Sequence, residues 1–193
     1  MKLNFFQKAR MKISRSFLRL LSLALALGSF QVIAIAQDVG FAEEAKDFGV
    51  SPTKYPRSRS SGYGSATPTE IPGAKVVTTD NLATMLIGDA KPVLIVVYGE
   101  TQVVPGAYVM DGAGEDRLLG PDKGKFAQAM AKLTDGDKSK LVAFYCHGPK
   151  CWLSYNASLH AMELGYSNVL WYRGGRDAWR AAGKAFSAPA GSW

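Results

Sequence analysis

The chain has 193 residues, of which 47% are apolar and 20% charged, and it carries a formal charge of +7 at pH 7. This length and composition exclude wholesale disorder and predict one globular domain, or one domain with appendages. Two cysteines are too few to staple a small disulfide scaffold, and with two histidines a closed zinc site would need carboxylate ligands. No phosphate-loop or dinucleotide fingerprint is present, so we predict neither a metal site nor a cofactor.

The positive charge is concentrated at the start of the chain. Residues 1–36 contain six Lys or Arg and no acidic residue, which leaves 17 basic against 16 acidic residues in the remainder, a net charge of +1. A nearly neutral body lacks the basic surface that nucleic-acid binding requires. We therefore expect no nucleic-acid partner.

Residues 1–36 have the order of an export signal. A basic segment precedes the apolar run 20–27, and Ala34 and Ala36 supply the small residues that a signal peptidase recognises. Met11 could equally begin a signal of ordinary length. We expect cleavage after Ala36 and an exported, periplasmic or secreted product without a stable membrane anchor. The alternative is an uncleaved anchor, for which the apolar run is short.

Residues 37–73 are predicted to form an N-terminal extension. Between Ser51 and Gly73, 12 of 23 residues are Ser, Pro or Gly, a composition that forbids a long helix. The extension is either wrapped on the domain surface, with Tyr55, Tyr63 and Ile71 as anchors, or a flexible tether.

From residue 74 onward, strands and helices alternate. Apolar runs predict strands at 75–77, 92–98, 141–145 and 168–172, with a turn into a further short strand at 104–109. Helical spacing predicts one helix that is capped by Thr79 or Asp80 and ends at Gly88, one that carries Phe126, Met130 and Leu133, and two more at 152–164 and 177–182. We assign 74–186 to one domain and 187–193 to a C-terminal tail.

This alternation predicts an α/β fold with a mostly parallel central sheet and helices on both faces. Sites in such sheets lie at the carboxyl ends of the strands. The strand 141–145 leads into the loop Cys146-His147-Gly148-Pro149-Lys150-Cys151, which contains both cysteines and is followed at once by a helix that begins with Trp152.

The helix that follows this loop should activate Cys146. A thiol that faces a helix N-terminus experiences free backbone N–H groups and the positive end of the helix dipole, which stabilise a thiolate. We therefore expect a lowered pKa and nucleophilic character for Cys146. Gly148 permits a tightly curled loop, and Lys150 and a protonated His147 would add positive charge.

Three segments carry a resemblance to a known family: VAFYCHG at 142–148, LGYSNV at 164–169 and GGRDAW at 174–179. Together with VPGA at 104–107, they resemble the rhodanese-like sulfurtransferase domain in order and spacing over about 74–182. The export signal, the Cys-Trp pair at 151–152 and the Trp-Tyr pair at 171–172 further resemble exported rhodanese-like proteins named for a CXXCW motif and linked to quinoprotein-dependent catabolism. Four residues separate the cysteines here, so this second resemblance is looser.

The resemblance implies a rhodanese-like fold and a role for each residue of the loop. Cys146 falls at the nucleophile, which takes sulfane sulfur from a small sulfur-containing anion such as thiosulfate as a persulfide and passes it to a thiophilic acceptor. Residues 147–151 form the cradle that binds the anion through backbone N–H groups. Independently of the resemblance, Trp152 either shields the loop or is a core residue. Two positions depart from the family: Cys151 stands where a basic or hydroxyl residue is common, and 96–100 lacks the usual Asp-x-Arg.

The second cysteine leaves several interpretations open. The separation of Cys146 and Cys151 across a curled loop could bring them within disulfide range, and an exported chain meets oxidising conditions. The pair could be a redox switch, a dithiol–disulfide oxidoreductase site with a periplasmic redox partner, or a resolving pair that discharges a persulfide. It could equally be a static disulfide in a non-catalytic domain that binds an anion or a protein.

Other polar residues near the loop receive plainer interpretations. His147 is a loop residue rather than a metal ligand, and His160 is expected at the surface of the following helix. Arg173 follows a strand end and could reach an anion. The sequon at 156–158 falls on a predicted helix, so we interpret it as accidental.

Overall fold

The computed structural model describes residues 43–53, 59–115 and 122–193. The predicted export signal, residues 1–36, and the candidate anchor Tyr55 lie outside these ranges. No helix within the described ranges combines the length and the apolar character that crossing a lipid bilayer demands.

Six strands and four helices lie wholly within the described ranges. The strands are β1 (Lys75–Val76), β2 (Val93–Val96), β3 (Tyr108–Val109), β4 (Val142–Tyr145), β5 (Val169–Tyr172) and β6 (Gly191–Ser192). The helices are α1 (Thr79–Ile87), α2 (Asp122–Thr134), α3 (Trp152–Glu163) and α4 (Gly175–Ala181).

The strands form one sheet in the order β1-β5-β4-β2-β3-β6, and every neighbouring pair is parallel. The α/β class is thus confirmed, and the sheet is parallel throughout rather than mostly so. Strand β4 lies at the centre, where Tyr145 is in register with Val96 of β2 and with Tyr172 of β5. Because the strands are parallel, their carboxyl ends meet at one edge, and Cys146 lies there directly after β4.

Side chains of successive residues in β4 point to opposite faces of the sheet, and the contacts on each face show which helices lie there. Phe144 contacts Phe126 of α2, and on the same side the Trp171 indole donates to Ser154 of α3 at 3.0 Å. Tyr145 points the other way, and its neighbour Tyr172 hydrogen-bonds to Thr79 of α1 at 2.7 Å. The predicted placement of helices on both faces is therefore confirmed.

The C-terminal residues extend the sheet, although no strand was predicted there. Tyr108 of β3 is in register with Gly191 of β6, and Ser187 forms an antiparallel bridge with Val103. The Trp193 indole also donates to the Asp111 carbonyl oxygen at 3.1 Å. A strand of two residues has no hydrophobic alternation, so its sequence carries no signal of its own.

Two local predictions are wrong. The N-cap of α1 is Thr78, whose hydroxyl accepts from the Asn81 N–H at 3.4 Å, whereas Thr79 is fully buried inside the helix. His160 is buried rather than at the surface; its Nδ1 lies 3.2 Å from the Ala113 carbonyl oxygen, a geometry in which that nitrogen donates.

Gly175 is the point at which α4 meets the loop after β4. Its φ is +58°, and a Cβ built there would lie 2.4 Å from the Cys146 carbonyl oxygen. Any side chain would force the helix and the loop apart, so the second glycine of the GGRDAW segment is required by close backbone approach as well as by its left-handed conformation.

We expect Gly175→Ala to lower the free energy of unfolding by about 3 kcal/mol, because backbone strain and a steric clash combine. Gly183→Ala is the matched control: its φ is +65°, but nothing lies within 4 Å of its added Cβ, so strain alone should cost about 1 kcal/mol. Urea unfolding of both variants measures the difference. Equal losses would contradict the close-approach argument.

Candidate functional site

The two cysteines of the loop form a disulfide. Cys146 follows β4, Cys151 is the N-cap of α3, and their Cα atoms are 6.1 Å apart. Both residues are buried, with 1% and 6% of their surface exposed. The pairing that the sequence left open is therefore present in this structure, and the lowered thiol pKa expected for Cys146 applies only after reduction.

The N-terminus of α4 orients the peptide groups of the loop. The Arg176 N–H donates to the Cys146 carbonyl oxygen at 3.0 Å, and the Asp177 N–H donates to the His147 carbonyl oxygen at 2.8 Å. In a trans peptide the N–H points opposite to the C=O, so the N–H groups of His147 and Gly148 point away from α4. Neither N–H donates to another backbone group in the described part of the chain, so neither has a backbone acceptor there.

Two of the predicted substrate-binding residues are exposed at the rim of the loop. The His147 ring stacks on Tyr98, which follows β2, with the ring centroids 3.8 Å apart. The Lys150 ammonium lies 5.6 Å from the centre of the Phe48 ring. Both side chains can meet a solute that approaches from solvent, and the aromatic contacts define where they lie.

The other three predicted substrate-binding residues, Gly148, Pro149 and Trp152, are buried. A Cβ on Gly148 would lie 2.9 Å from an Asp177 carboxylate oxygen, a contact that a rotation of the Asp177 side chain could relieve. The Pro149 carbonyl oxygen accepts from both the N–H and the hydroxyl of Thr67, at 3.0 and 2.7 Å. The Trp152 indole donates to the Ala66 carbonyl oxygen at 2.9 Å.

These partners belong to the N-terminal extension. We call its described residues 43–53 and 59–68 the strap. Besides the bonds from Thr67 and Ala66, the strap offers the Tyr63 carbonyl oxygen, which accepts from the Trp152 N–H at 2.8 Å. One of the free N–H groups expected at the start of α3 is therefore already occupied by the strap, and the loop is enclosed on this side.

Arg173 fastens the strap to the end of β5. It was predicted to reach an anion, and this prediction is wrong: the residue is 1% exposed and its guanidinium donates only to the strap within the described residues. The acceptors are the carbonyl oxygens of Glu44, Lys46 and Thr67, at 2.5, 2.9 and 3.1 Å, and the Thr67 hydroxyl at 3.1 Å. Sequence alone could not identify these partners, because they lie more than 100 residues away.

The strap also runs along α3. The Asn156 amide donates to the carbonyl oxygens of Arg59 and Gly114, both at 2.8 Å, and its own oxygen accepts from the Arg59 N–H. Asn156 is fully buried, so the sequon is not accessible to modification. Tyr155 hydrogen-bonds to the backbone of Thr53.

A separate apolar cluster fills the space between the strap and the sheet. Its buried members are Ile71, Trp152, Tyr155, Leu159 and Trp171, and Val50 and Tyr63 of the strap pack against them. Burial of this much aromatic surface is a substantial contribution to holding the strap in place.

An ion pair occupies the position where the family pattern is missing. Glu100, which follows β2, pairs with Arg176 of α4, and both side chains are largely shielded from solvent. Burial raises the pKa of the neighbouring Tyr98 to about 12, an effect that the Arg176 guanidinium partly opposes. Tyr98 therefore remains a neutral phenol at neutral pH. No sequence motif marked Arg176 as the partner of Glu100.

A cavity of about 360 Å³ lies between the loop, α4 and the start of the strap. Its acidic lining residues are Glu43, Glu44 and Asp177, beside Pro149 and Gly174, and no basic residue lines it. Burial raises the pKa of Glu44, although hydrogen bonds from Thr79 oppose the shift.

A larger depression of about 690 Å³ between α1 and α4 contains neither cysteine. Within the described ranges, no group of three acidic, histidine or cysteine residues could hold a metal ion.

A sequence profile of the rhodanese-like domain matches residues 69–182, more than half of the chain. The chain belongs to the rhodanese-like family. The matched segment includes the loop, both cysteines and every strand except β6. No curated protein sequence matches the chain significantly.

Solved structures similar to this chain include two proteins described as sulfur transferases and the protein EanB. A thiosulfate sulfurtransferase from Pseudomonas aeruginosa is 19% identical with a TM-score of 0.46, over 60% of this chain and 21% of that one. Wild-type EanB is 19% identical with a TM-score of 0.48, over 65% of this chain and 34% of that one. A polysulfide-sulfur transferase homodimer from Wolinella succinogenes is 17% identical with a TM-score of 0.43, over 59% of this chain and 78% of that one. The rhodanese-like chain thus spans about a fifth to a third of the first two proteins.

We expect Arg173→Met to release the strap, because the variant leaves its carbonyl acceptors without a donor in a buried position. Amide hydrogen exchange of peptides from 43–53 and 59–68 should accelerate roughly 100-fold, the equivalent of about 3 kcal/mol. Arg180→Met is the control, since that arginine is exposed and its nearest carboxylate is 3.9 Å away. Unchanged strap protection in Arg173→Met would show that Arg173 does not hold it.

Proposed function

We propose that this rhodanese-like protein is a sulfurtransferase that carries sulfane sulfur as a persulfide on Cys146. The observation that carries the proposal is the position of Cys146 at the carboxyl end of the central strand. It lies in a loop whose carbonyl oxygens accept from α4, so that the N–H groups of the same peptides point away from that helix. A thiolate formed there is exposed to backbone donors without needing a side-chain base.

The reaction begins from the reduced protein. The Cys146 thiolate attacks the terminal sulfur of a sulfane donor such as thiosulfate, a sulfur–sulfur bond forms, and sulfite leaves with the electron pair of the bond that breaks. The N–H groups of His147 and Gly148 stabilise the anions on either side of this step. The persulfide then passes its outer sulfur to a thiol or another thiophilic acceptor.

The charges around the loop favour approach from one side. Glu43, Glu44 and Asp177 line the cavity beside Pro149 and would repel an anionic donor. His147 and Lys150 are exposed at the rim, and a small sulfur-containing anion would enter past them. We therefore propose the rim, not the acidic cavity, as the donor entrance.

The reduced chain, treated with thiosulfate or inorganic polysulfide, should gain the mass of one sulfur atom, because Cys146 is the nucleophile. Intact-mass spectrometry measures the gain. Cys146→Ser should gain nothing, whereas Lys150→Ala, which keeps the nucleophile, should still be loaded but more slowly with anionic donors. Loading of Cys146→Ser would refute the assignment of the nucleophile.

The disulfide itself favours a second candidate, a thiol–disulfide redox protein that uses both cysteines with a redox protein as partner. A redox protein would exchange electrons with dithiols and ignore sulfane donors. Failure to load sulfur from any donor, with dithiol exchange intact, would select this candidate. Failure of both activities would leave a non-catalytic domain that binds an anion or a protein through the loop.

We further propose that the chain is exported and cleaved after Ala36, on the strength of the basic segment, the apolar run and the small residues at the cleavage site. A disulfide is compatible with an oxidising compartment.

Protein recovered from the periplasm should begin at Gln37, as N-terminal sequencing would show. Ala36→Leu should block cleavage and retain the whole N-terminal segment, and Ala45→Leu serves as the control outside the signal. Recovery of uncleaved wild-type chain in the cytosol would contradict export.

A further inference from the structure

We propose that Cys151 is a resolving thiol, which discharges the persulfide on Cys146 as sulfide and makes the domain a dithiol-dependent reductase of sulfane sulfur. This inference rests on the proposed persulfide function and deepens it, because it names a second reacting residue, a product and the class of reductant.

The first observation is that Cys146 and Cys151 form a disulfide while the carbonyl groups of the loop stay hydrogen-bonded to α4 on one side and to the strap on the other. Arg176 and Asp177 of α4 hold the carbonyls of Cys146 and His147, and Thr67 of the strap holds that of Pro149. The loop that holds Cys146 as the expected nucleophile therefore also lets Cys151 reach its Sγ. Direct contact is the geometry that intramolecular attack requires.

The second observation is enclosure. Cys146 is 1% exposed and Cys151 6%, and the strap lies against Pro149 and Trp152 on either side of Cys151. A bulky external acceptor would have to displace the strap before it could reach the outer sulfur. Cys151 is already inside, so its effective concentration exceeds that of any solute.

The third observation concerns the reactivity of Cys151 itself. It is the N-cap of a helix of 12 residues, and no side-chain hydrogen bond caps that helix end. In the reduced protein its sulfur is therefore beside the positive end of the α3 dipole, which favours the thiolate that must attack.

The reaction balances as follows. The Cys151 thiolate attacks Sγ of the Cys146 persulfide, the Cys146–Cys151 disulfide forms, and the bond between Sγ and the outer sulfur breaks. The outer sulfur leaves with the electron pair and a proton as hydrosulfide. The two cysteines are oxidised together by two electrons, and the sulfane sulfur is reduced by the same two.

The cycle closes only when an external dithiol reduces the disulfide that this structure contains. A dithiol reductant must therefore act after each turnover, and it must either be small enough to pass the strap or displace the strap to reach the buried disulfide. A reaction that generates sulfane sulfur must act before it. Sulfide is the product that leaves.

The test uses the full chain, reduced and then freed of reductant without oxygen, and one equivalent of inorganic tetrasulfide. Intact mass, alkylation of free thiols and sulfide trapped by a bimane reagent are measured together. We expect wild type to end as the disulfide with one extra equivalent of sulfide. Cys151→Ser should retain the added sulfur stably and lose the extra sulfide, down to the background of Cys146→Ser.

The outcomes separate this inference from the function on which it rests. Wild type that keeps its persulfide while Cys151 remains open to alkylation would overturn the resolving role and leave the sulfurtransferase standing. Sulfur gained by Cys146→Ser would overturn the order of the two cysteines. A Cys151→Ser variant that is folded by circular dichroism and gains no sulfur would overturn the persulfide function itself.

Discussion

A single buried charge determines how the N-terminal part of this domain is arranged. The Arg173 guanidinium lies out of reach of water, and within the described residues every acceptor it has comes from the strap. Burying a charge without acceptors costs several kcal/mol, so the strap and the end of β5 form one structural unit. Thr67 extends that unit to the cysteines, because it also donates to the Pro149 carbonyl oxygen.

This arrangement explains why α3 departs from an ordinary surface helix. The sheet covers one side and the strap covers another, so the residues from Ser154 to Ala161 are all buried. Polar side chains between the sheet and the strap have hydrogen-bond partners there: the Ser154 hydroxyl accepts from the Trp171 indole, and the Asn156 amide donates to the Arg59 carbonyl oxygen. Sequence reasoning assumed that one face of the helix met solvent, and it therefore misplaced His160.

What the sequence predicted correctly depends on local patterns. The β-branched run before Tyr98 and the apolar run before Cys146 identify the two central strands, and the strand-to-helix transition identifies the loop, because these signals span only a few residues. The strap contacts join positions about 80 to 130 residues apart, and no periodicity records such pairings. The role of Arg173 was missed for that reason. A basic residue after a strand can bind an anion or donate hydrogen bonds to buried carbonyl oxygens, and the sequence does not distinguish the two.

The departures from the family pattern also have structural counterparts. Where Asp-x-Arg is usual, Glu100 reaches across to Arg176 and ties the end of β2 to α4. At the last loop position, Cys151 brings a sulfur instead of a donor side chain. The loop thus has a second cysteine at the position where the resemblance leads one to expect a basic or hydroxyl side chain.

The peptide groups that α4 orients carry a consequence for how the site responds to its surroundings. The His147 and Gly148 N–H groups are fixed dipoles without net charge, and dissolved ions screen such groups far less than they screen the exposed ammonium of Lys150. An anion held on that side of the loop would keep its stabilisation as the ionic strength changes. Added salt would change the rate at which charged molecules reach the loop, and it would change their stabilisation by these N–H groups very little.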